Sequence, residues 1–184
     1  GNGDIGIRAG NGSTITGCTT QDNDYEGIFA DRCCTLSDCA AYGNSRVGIY
    51  ASHGTTISSC TAQGNGDNGI DVFHGCTIQD CSVQYNSKDG IELSSDCMVT
   101  RCTADSNGFG GDGAGIHVIG SDNRIEGNTC TDNDRGVDVD DSGNFIVKNT
   151  CSGNGNDYDI AGGNDVGTIE TTPVDAGAWD NFSF

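Results

Sequence analysis

The stretch "DNGIDVFHGCTIQDCSVQYN", Asp67 to Asn86, is one turn of a repeat, and most of the chain is that turn copied. Gly-Ile recurs at Gly6-Ile7, Gly27-Ile28, Gly48-Ile49, Gly69-Ile70 and Gly90-Ile91, always 21 residues apart. Cysteine keeps the same period at Cys18, Cys39, Cys60, Cys81 and Cys102, and asparagine at Asn2, Asn23, Asn44, Asn65, Asn86 and Asn107. Three residue types sharing one period identify a repeat architecture. From each isoleucine, eight residues lead to a second apolar position, occupied by Ile15, Leu36, Ile57, Ile78 and Val99. Segments this short, rich in Ile, Val and Thr and punctuated by Gly and Asn, predict strands and turns. Closed every 21 residues, they predict an all-β chain: a parallel β-helix of about seven to eight turns, right-handed by the chirality of parallel connections. Stacking at about 4.8 Å per turn gives a rod of roughly 35–40 Å.

Period-2 alternation assigns the faces. Ile28, Ala30, Ile70, Val72, Ile91 and Leu93 point inward, and Phe29, Asp31, Asp71 and Phe73 outward. The glycine before each isoleucine is expected to permit a bend. The asparagines Asn23, Asn44, Asn65, Asn86 and Asn107 are expected to form an internal ladder of amides at a corner. The cysteines Cys18, Cys39, Cys60, Cys81 and Cys102 form a parallel column, and Cys34, Cys76 and Cys97 a second with Thr55 in the gap. They read as small buried thiols, with some bonded pairs if the protein is exported. Cys33, out of phase, is the exposed thiol. The frame breaks once, at an insertion over 108–114. In later turns Asn128 and Asn149 take the old cysteine position, and Cys130 and Cys151 move two residues on. Residues 1–160 read as the repeats and 161–184 as a capping tail, with Trp179, Phe182 and Phe184 covering the end.

Only 34% of residues are hydrophobic, which suffices here because they sit at fixed phase in a narrow core. The net charge of −19 opposes nucleic acid and anionic membrane surfaces, and no apolar run is long enough for a membrane helix. Residues preceding Gly1 are expected to have been removed. His53 and His74 read as turn residues without partners, and Asn11-Gly12-Ser13 and Asn181-Phe182-Ser183 match the glycosylation pattern.

One outward column reads Arg8, Phe29, Tyr50, Asp71, Glu92, His117, Asp138. Phe29 and Tyr50, with Phe73 nearby, offer an exposed platform for a sugar ring or a partner protein. Asp71, Glu92, His117 and Asp138 are the candidate catalytic groups, as an acid/base pair or a cation site; as carboxylates on a solvated face they also need no cation at all. "DVDDSG", Asp138 to Gly143, partly matches the opening of a calcium loop. Asp138 and Asp140 are its candidate ligands, although Asn149 stands where a closing glutamate is required.

On "TISSCTAQGNGDNGI", the "GI" turns and the "YDIAGGN" run, the chain resembles right-handed parallel β-helix repeat proteins of exported bacterial type, such as large secreted planctomycete and verrucomicrobial proteins. That resemblance implies a secreted or cell-surface location and more turns on the N-terminal side. The wider fold also hosts pectate lyases, polygalacturonases and alginate epimerases. The Asp-Pro-His-Glu signature of the epimerases is absent, His74-Gly75 occurs without its polygalacturonase partners, and Arg101 and Lys148 lie outside the acidic column. Two expectations follow. The first is an extracellular structural or surface-binding solenoid that self-associates through its ends into filaments, without catalysis. The alternative is a calcium-dependent carbohydrate-active domain, a polyuronate lyase or epimerase or a polysaccharide-binding module. Flat threonine arrays on a β-helix also raise ice binding, but the outward columns mix Thr with Asp, Arg and Phe.

Overall fold

The computed structural model describes residues 1–108 and 111–184; the expected insertion at 108–114 therefore falls partly outside the described residues. The chain winds as a right-handed parallel β-solenoid of about eight turns. Each turn contributes one short strand to each of three sheets; in the turn quoted above they are Ile70–Val72, Thr77–Gln79 and Ser82–Gln84. Within a sheet, every strand pairs in parallel register with the same strand of the turns before and after. Ile28, Ile49, Ile70, Ile91 and Ile116 thus form one fully buried column, and Leu36, Ile57 and Ile78 another. A domain this narrow can bury its few apolar residues only by stacking identical side chains on one another.

The corners are made by single residues in the left-handed region. One column runs Gly17, Asp38, Ser59, Asp80, Arg101, Gly127 and Lys148, and two others include Cys33, Gly54 and Gly75, and Asp22, Gly43 and Gly64. Gly, Asn and Asp tolerate this conformation best, which accounts for the punctuation of the sequence. The glycine of each Gly-Ile pair does something else. Gly48 does not have a positive φ; a Cβ placed on it would lie 2.6 Å from the Asn65 amide nitrogen and 2.7 Å from the Gly69 carbonyl. That glycine is required by the close approach of the asparagine ladder, not by a bend.

The ladder itself is continuous. Asn65 Oδ1 accepts from both the backbone N–H and the side-chain amide of Asn44, at 3.1 and 2.9 Å, and Asn86 Oδ1 does the same for Asn65. Asn65 Nδ2 also donates to the Ala41 carbonyl. In the later turns two more ladders appear. Cys102 hands over to Asn128, Asn149 and then Asn181, and Cys97 to Asn123, Asn144 and Asn164. All eleven cysteines are free. Column thiols donate to nearby carbonyls, as Cys60 does to Ser58 at 3.2 Å, and burial pushes the Cys39 thiol up. Such thiols act as small hydrophobes. Cys33 is exposed.

The tail departs from the aromatic plug expected of it. Strand Asn181–Ser183 pairs in parallel with Thr150–Ser152, and Asn181, fully buried, takes the ladder position. Trp179 and Phe184 remain more than half exposed. An asparagine enters the stack because it satisfies the Asn149 amides, which an indole or phenyl ring cannot do. Burial of Asn181 also removes it as a glycosylation acceptor.

Truncating one rung leaves several buried donors and acceptors unpaired. Asn86→Ala is expected to lower unfolding free energy by about 3 kcal/mol, whereas Gln84→Ala, on an outward phase, should stay within about 0.5 kcal/mol. Urea denaturation of the two variants measures this; equal effects would mean that the ladder is not what holds adjacent turns.

Candidate functional site

The outward column of the first sheet holds in register from Arg8 through Phe29, Tyr50, Asp71, Glu92, His117 and Asp138, and Asp159 extends it by one turn. Its lower end is aromatic. The Phe29 and Tyr50 rings stack at 5.0 Å with 17° between planes, and Phe73 meets Tyr50 edge-on at 6.1 Å. The Arg8 guanidinium covers Phe29 at 5.1 Å. His53 and His74, read from the sequence as unpartnered, belong to this surface: His53 stacks on Phe73 at 5.6 Å and lies 5.5 Å from His74. The alternation rule missed them because both sit in the turn following the strand, where successive turns still superpose side chains.

The upper end is charged and organised around His117. Its Nδ1 lies 3.1 Å from Asp89 Oδ2, and its Nε2 lies 3.2 Å from Asp140 Oδ2 and 3.9 Å from Asp138 Oδ2. Arg135 reaches Asp138 and Asp112, each at 2.8 Å, and Asp159 at 3.6 Å. Glu92 accepts from the Asn68 amide at 3.0 Å. Asp89 also accepts from the Ala114 N–H at 2.7 Å, which fixes the carboxylate that orients the imidazole. Ligand atoms of Asp89, Glu92 and His117 lie within 4.8 Å of one another, as do those of His117, Asp138 and Asp140.

Asp89 and Arg135 were missed. Both stand two residues before the inward isoleucine or valine, in the phase that Val47 occupies, and Asp89 is buried. An ionisable residue at an inward phase was the available signal: the strand begins there, and the side chain curls onto the edge of the face.

The face is less solvated than the sequence suggested. Asp138 is buried, and Asp71 and Glu92 are half-buried. Burial, then the charge of Glu92 and of Asp67 and Asp89, pushes the Asp71 carboxyl up to about 7. Burial and Asp89 also raise Glu92, against the pull of Asn68 and His117. Burial raises Asp138, opposed by His117 and Arg135. Burial works against an imidazolium, but the bonds to Asp89 and Asp140 and the charge of Asp138 outweigh it and push His117 up to about 9. His117 therefore carries a proton at neutral pH and neutralises the carboxylates around it.

This alters the place of a cation. The carboxylates supply the oxygen donors a hard ion prefers. At Asp138 and Asp140, however, those oxygens already accept from Arg135 and His117. Asn149 cannot close a calcium loop, because it is fully buried in the ladder. Asp71 and Glu92, adjacent in register and repelling each other, are the freer pair.

The proton inventory sets a pH dependence. His117 titrates near 6.5 when unfolded and near 9 when folded, so its stabilisation is complete below about pH 6.5 and is lost as pH rises through about 9. Urea midpoints at pH 6 and pH 9.5 should fall with pH in the native sequence and fall less in His117→Gln. An unchanged slope in that variant would remove His117 as the titrating group.

Against solved structures, the chain is similar to pectate lyase Pel9A (TM-score 0.72, 19% identity, 87% of this chain and 50% of that one). It is similar to the Azotobacter vinelandii mannuronan C-5 epimerase AlgE4 A-module (0.65, 24%, 78% and 47%). It is also similar to the periplasmic alginate epimerase AlgG (0.71, 15%, 97% and 46%). At these identities the likeness is one of fold. The chain spans about half the length of these structures. No curated protein sequence matches it. Residues 1–121 match the family described as "Right handed beta helix region", and the chain belongs to that family.

Proposed function

We propose that this chain is a carbohydrate-active β-helix that takes up a polyuronate along its first sheet with the help of calcium. The observation that carries this reading is the single in-register line joining a stacked aromatic platform, Phe29, Tyr50 and Phe73, to a charged cluster centred on His117. A linear polymer laid along the rod meets one outward side chain about every 4.8 Å, with aromatic rings at one end and proton-carrying groups at the other. The solved structures of similar fold include a pectate lyase and alginate epimerases, which favours this reading over a purely structural solenoid.

Calcium enters for an electrostatic reason. The chain carries −19, and a polyuronate is an anion, so the two repel unless a cation lies between them. Asp71 and Glu92 are the proposed ligands of that ion on the protein side, where it would relieve their mutual repulsion and screen the sugar carboxylate. Elimination and epimerisation of uronates both begin by removing the proton α to the carboxylate. On this reading Glu92 would accept such a proton on the oxygen it does not lend to the ion, and His117, held by Asp89, would donate one. Arg135 and Asp138 fix the far side of the cluster. Export to an extracellular or periplasmic space follows from the substrate.

Retention on immobilised polyuronate should require calcium and fall at least tenfold in an Asp71→Asn, Glu92→Gln double variant and severalfold in Tyr50→Ala. Equal retention with a chelator, or equal retention on a neutral glucan, would defeat the proposal. Turnover is read separately, from the ultraviolet absorbance of an unsaturated sugar end or from inversion at C5 seen by NMR. His117→Gln should lower either signal at least a hundredfold; binding without either signal would leave a recognition module.

A further inference from the structure

His53 and His74 occupy the same place in consecutive turns, directly after Ser52 and Phe73 and directly before the left-handed corner glycines Gly54 and Gly75. Backbone bonds hold that register: the Cys33 N–H donates to the His53 carbonyl at 2.9 Å, and the Gly54 N–H to the His74 carbonyl at 3.0 Å. The ring centroids stand 5.5 Å apart with 43° between planes. Phe73 positions both rings, stacking on His53 at 5.6 Å and meeting His74 edge-on at 6.2 Å. Ser52 Oγ lies 2.9 Å from His53 Nδ1, so Nδ1 can carry the proton and leave Nε2 as the nitrogen with a free lone pair. Among the described residues neither ring is in an ion pair, unlike His117, which Asp89 and Asp140 hold on both sides. The one side-chain atom within 4 Å of where a Cβ would sit on either corner glycine is Cys33 Sγ, 3.6 Å from that of Gly54. His53 is half-buried and His74 exposed, so the pair is reached from solvent.

We infer that His53 and His74 together chelate one transition-metal dication of the zinc, nickel or copper type. Imidazole nitrogen is a donor that such ions prefer, whereas calcium takes oxygen. A zinc-class ion bonds each nitrogen at about 2.0–2.1 Å, and two rings arranged tetrahedrally around it have centroids about 5 Å apart. The pair therefore stands a small side-chain rotation from the chelating distance, and the exposed His74 is free to make that rotation. Ser52 supplies the support that a metal-bound imidazole uses on its other nitrogen. The net charge of −19 draws dications of every kind to the surface, and the nitrogen donors decide which kind stays. Two protein donors leave positions for water or an external ligand. Arg32 precedes His53 in this column and Ser95 follows His74, so chelation is confined to the two histidines. The site shares Phe73 with the aromatic platform but depends on neither polyuronate nor calcium.

The test is a calorimetric titration of the whole chain with nickel(II) at neutral pH in excess calcium. One site per chain is expected, at least tenfold weaker in His53→Gln and in His74→Gln at unchanged circular dichroism. His117→Gln and Cys33→Ser should each bind nickel as the native sequence does. No binding, or displacement of nickel by calcium, overturns the inference. So does a titration that survives in both ring variants, or one lost in His117→Gln or Cys33→Ser, which would assign the ion to the acidic cluster or to the exposed thiol. The native chain gives a second readout. Paramagnetic nickel should broaden the imidazole C–H signals of His53 and His74 before those of His117, the only other histidine. Broadening that begins at His117 overturns the inference as well.

Discussion

Every turn of this rod hangs on the side-chain amide of an asparagine one turn further on. Asn65 Oδ1 takes two hydrogens from Asn44, and Asn86 Oδ1 takes two from Asn65, so that the corner backbone is satisfied by side chains running parallel to the axis. A chain with so few apolar residues could not otherwise leave its corners buried, since an unpaired backbone donor costs more than an alanine or a cysteine returns by burial. The glycine beside each rung, the register of all three sheets and the spacing of the outward columns follow from that approach. The chemistry of the outer face is thus carried on a frame whose pitch it does not influence.

This separation decides what could be read from the sequence. The frame was legible because Gly48, Asn65 and Ile49 each have a counterpart 21 residues away, and one period seen in several residue types leaves a single architecture. The column from Arg8 to Asp138 was legible for the same reason. The Asp89 carboxylate and the Arg135 guanidinium were not, because both occupy a phase that alternation assigns to the interior and reach the face only by the curl of the strand start. The histidine pair was missed through the opposite error. Turn residues were treated as solitary, although a stacked turn superposes its loops as faithfully as its strands. Asn181 escaped notice because it rejoins the ladder 32 residues after Asn149, well outside the 21-residue period.

The charged cluster shows how a crowded acidic surface shares out the few cations of its own chain. Asp89, Asp138 and Asp140 surround one imidazole, and Arg135 draws in Asp112, Asp138 and Asp159. Each cation is shared among several carboxylates, and burial, with the charge of neighbouring carboxylates, raises the carboxyls of Asp71 and Glu92, neither of which is in an ion pair among the described residues. Those two positions are therefore where an incoming positive charge gains most, whether it arrives as an ion or as a proton.

The handover from cysteine to asparagine gives the rod a mechanical polarity. Early turns are tied along the axis by one amide ladder, with sulfur filling the other two corners. From Cys97 and Cys102 onward, all three corners carry amides bonded to the turn beyond. An amide rung bonds to the turns on both sides with strong donors and acceptors, whereas a thiol adds only a weak bond to a carbonyl of the turn before, as Cys76 does to Ser52. A load pulling on the two ends would part the rod in its sulfur-lined half, and the aromatic platform would be lost while the His117 cluster still stood.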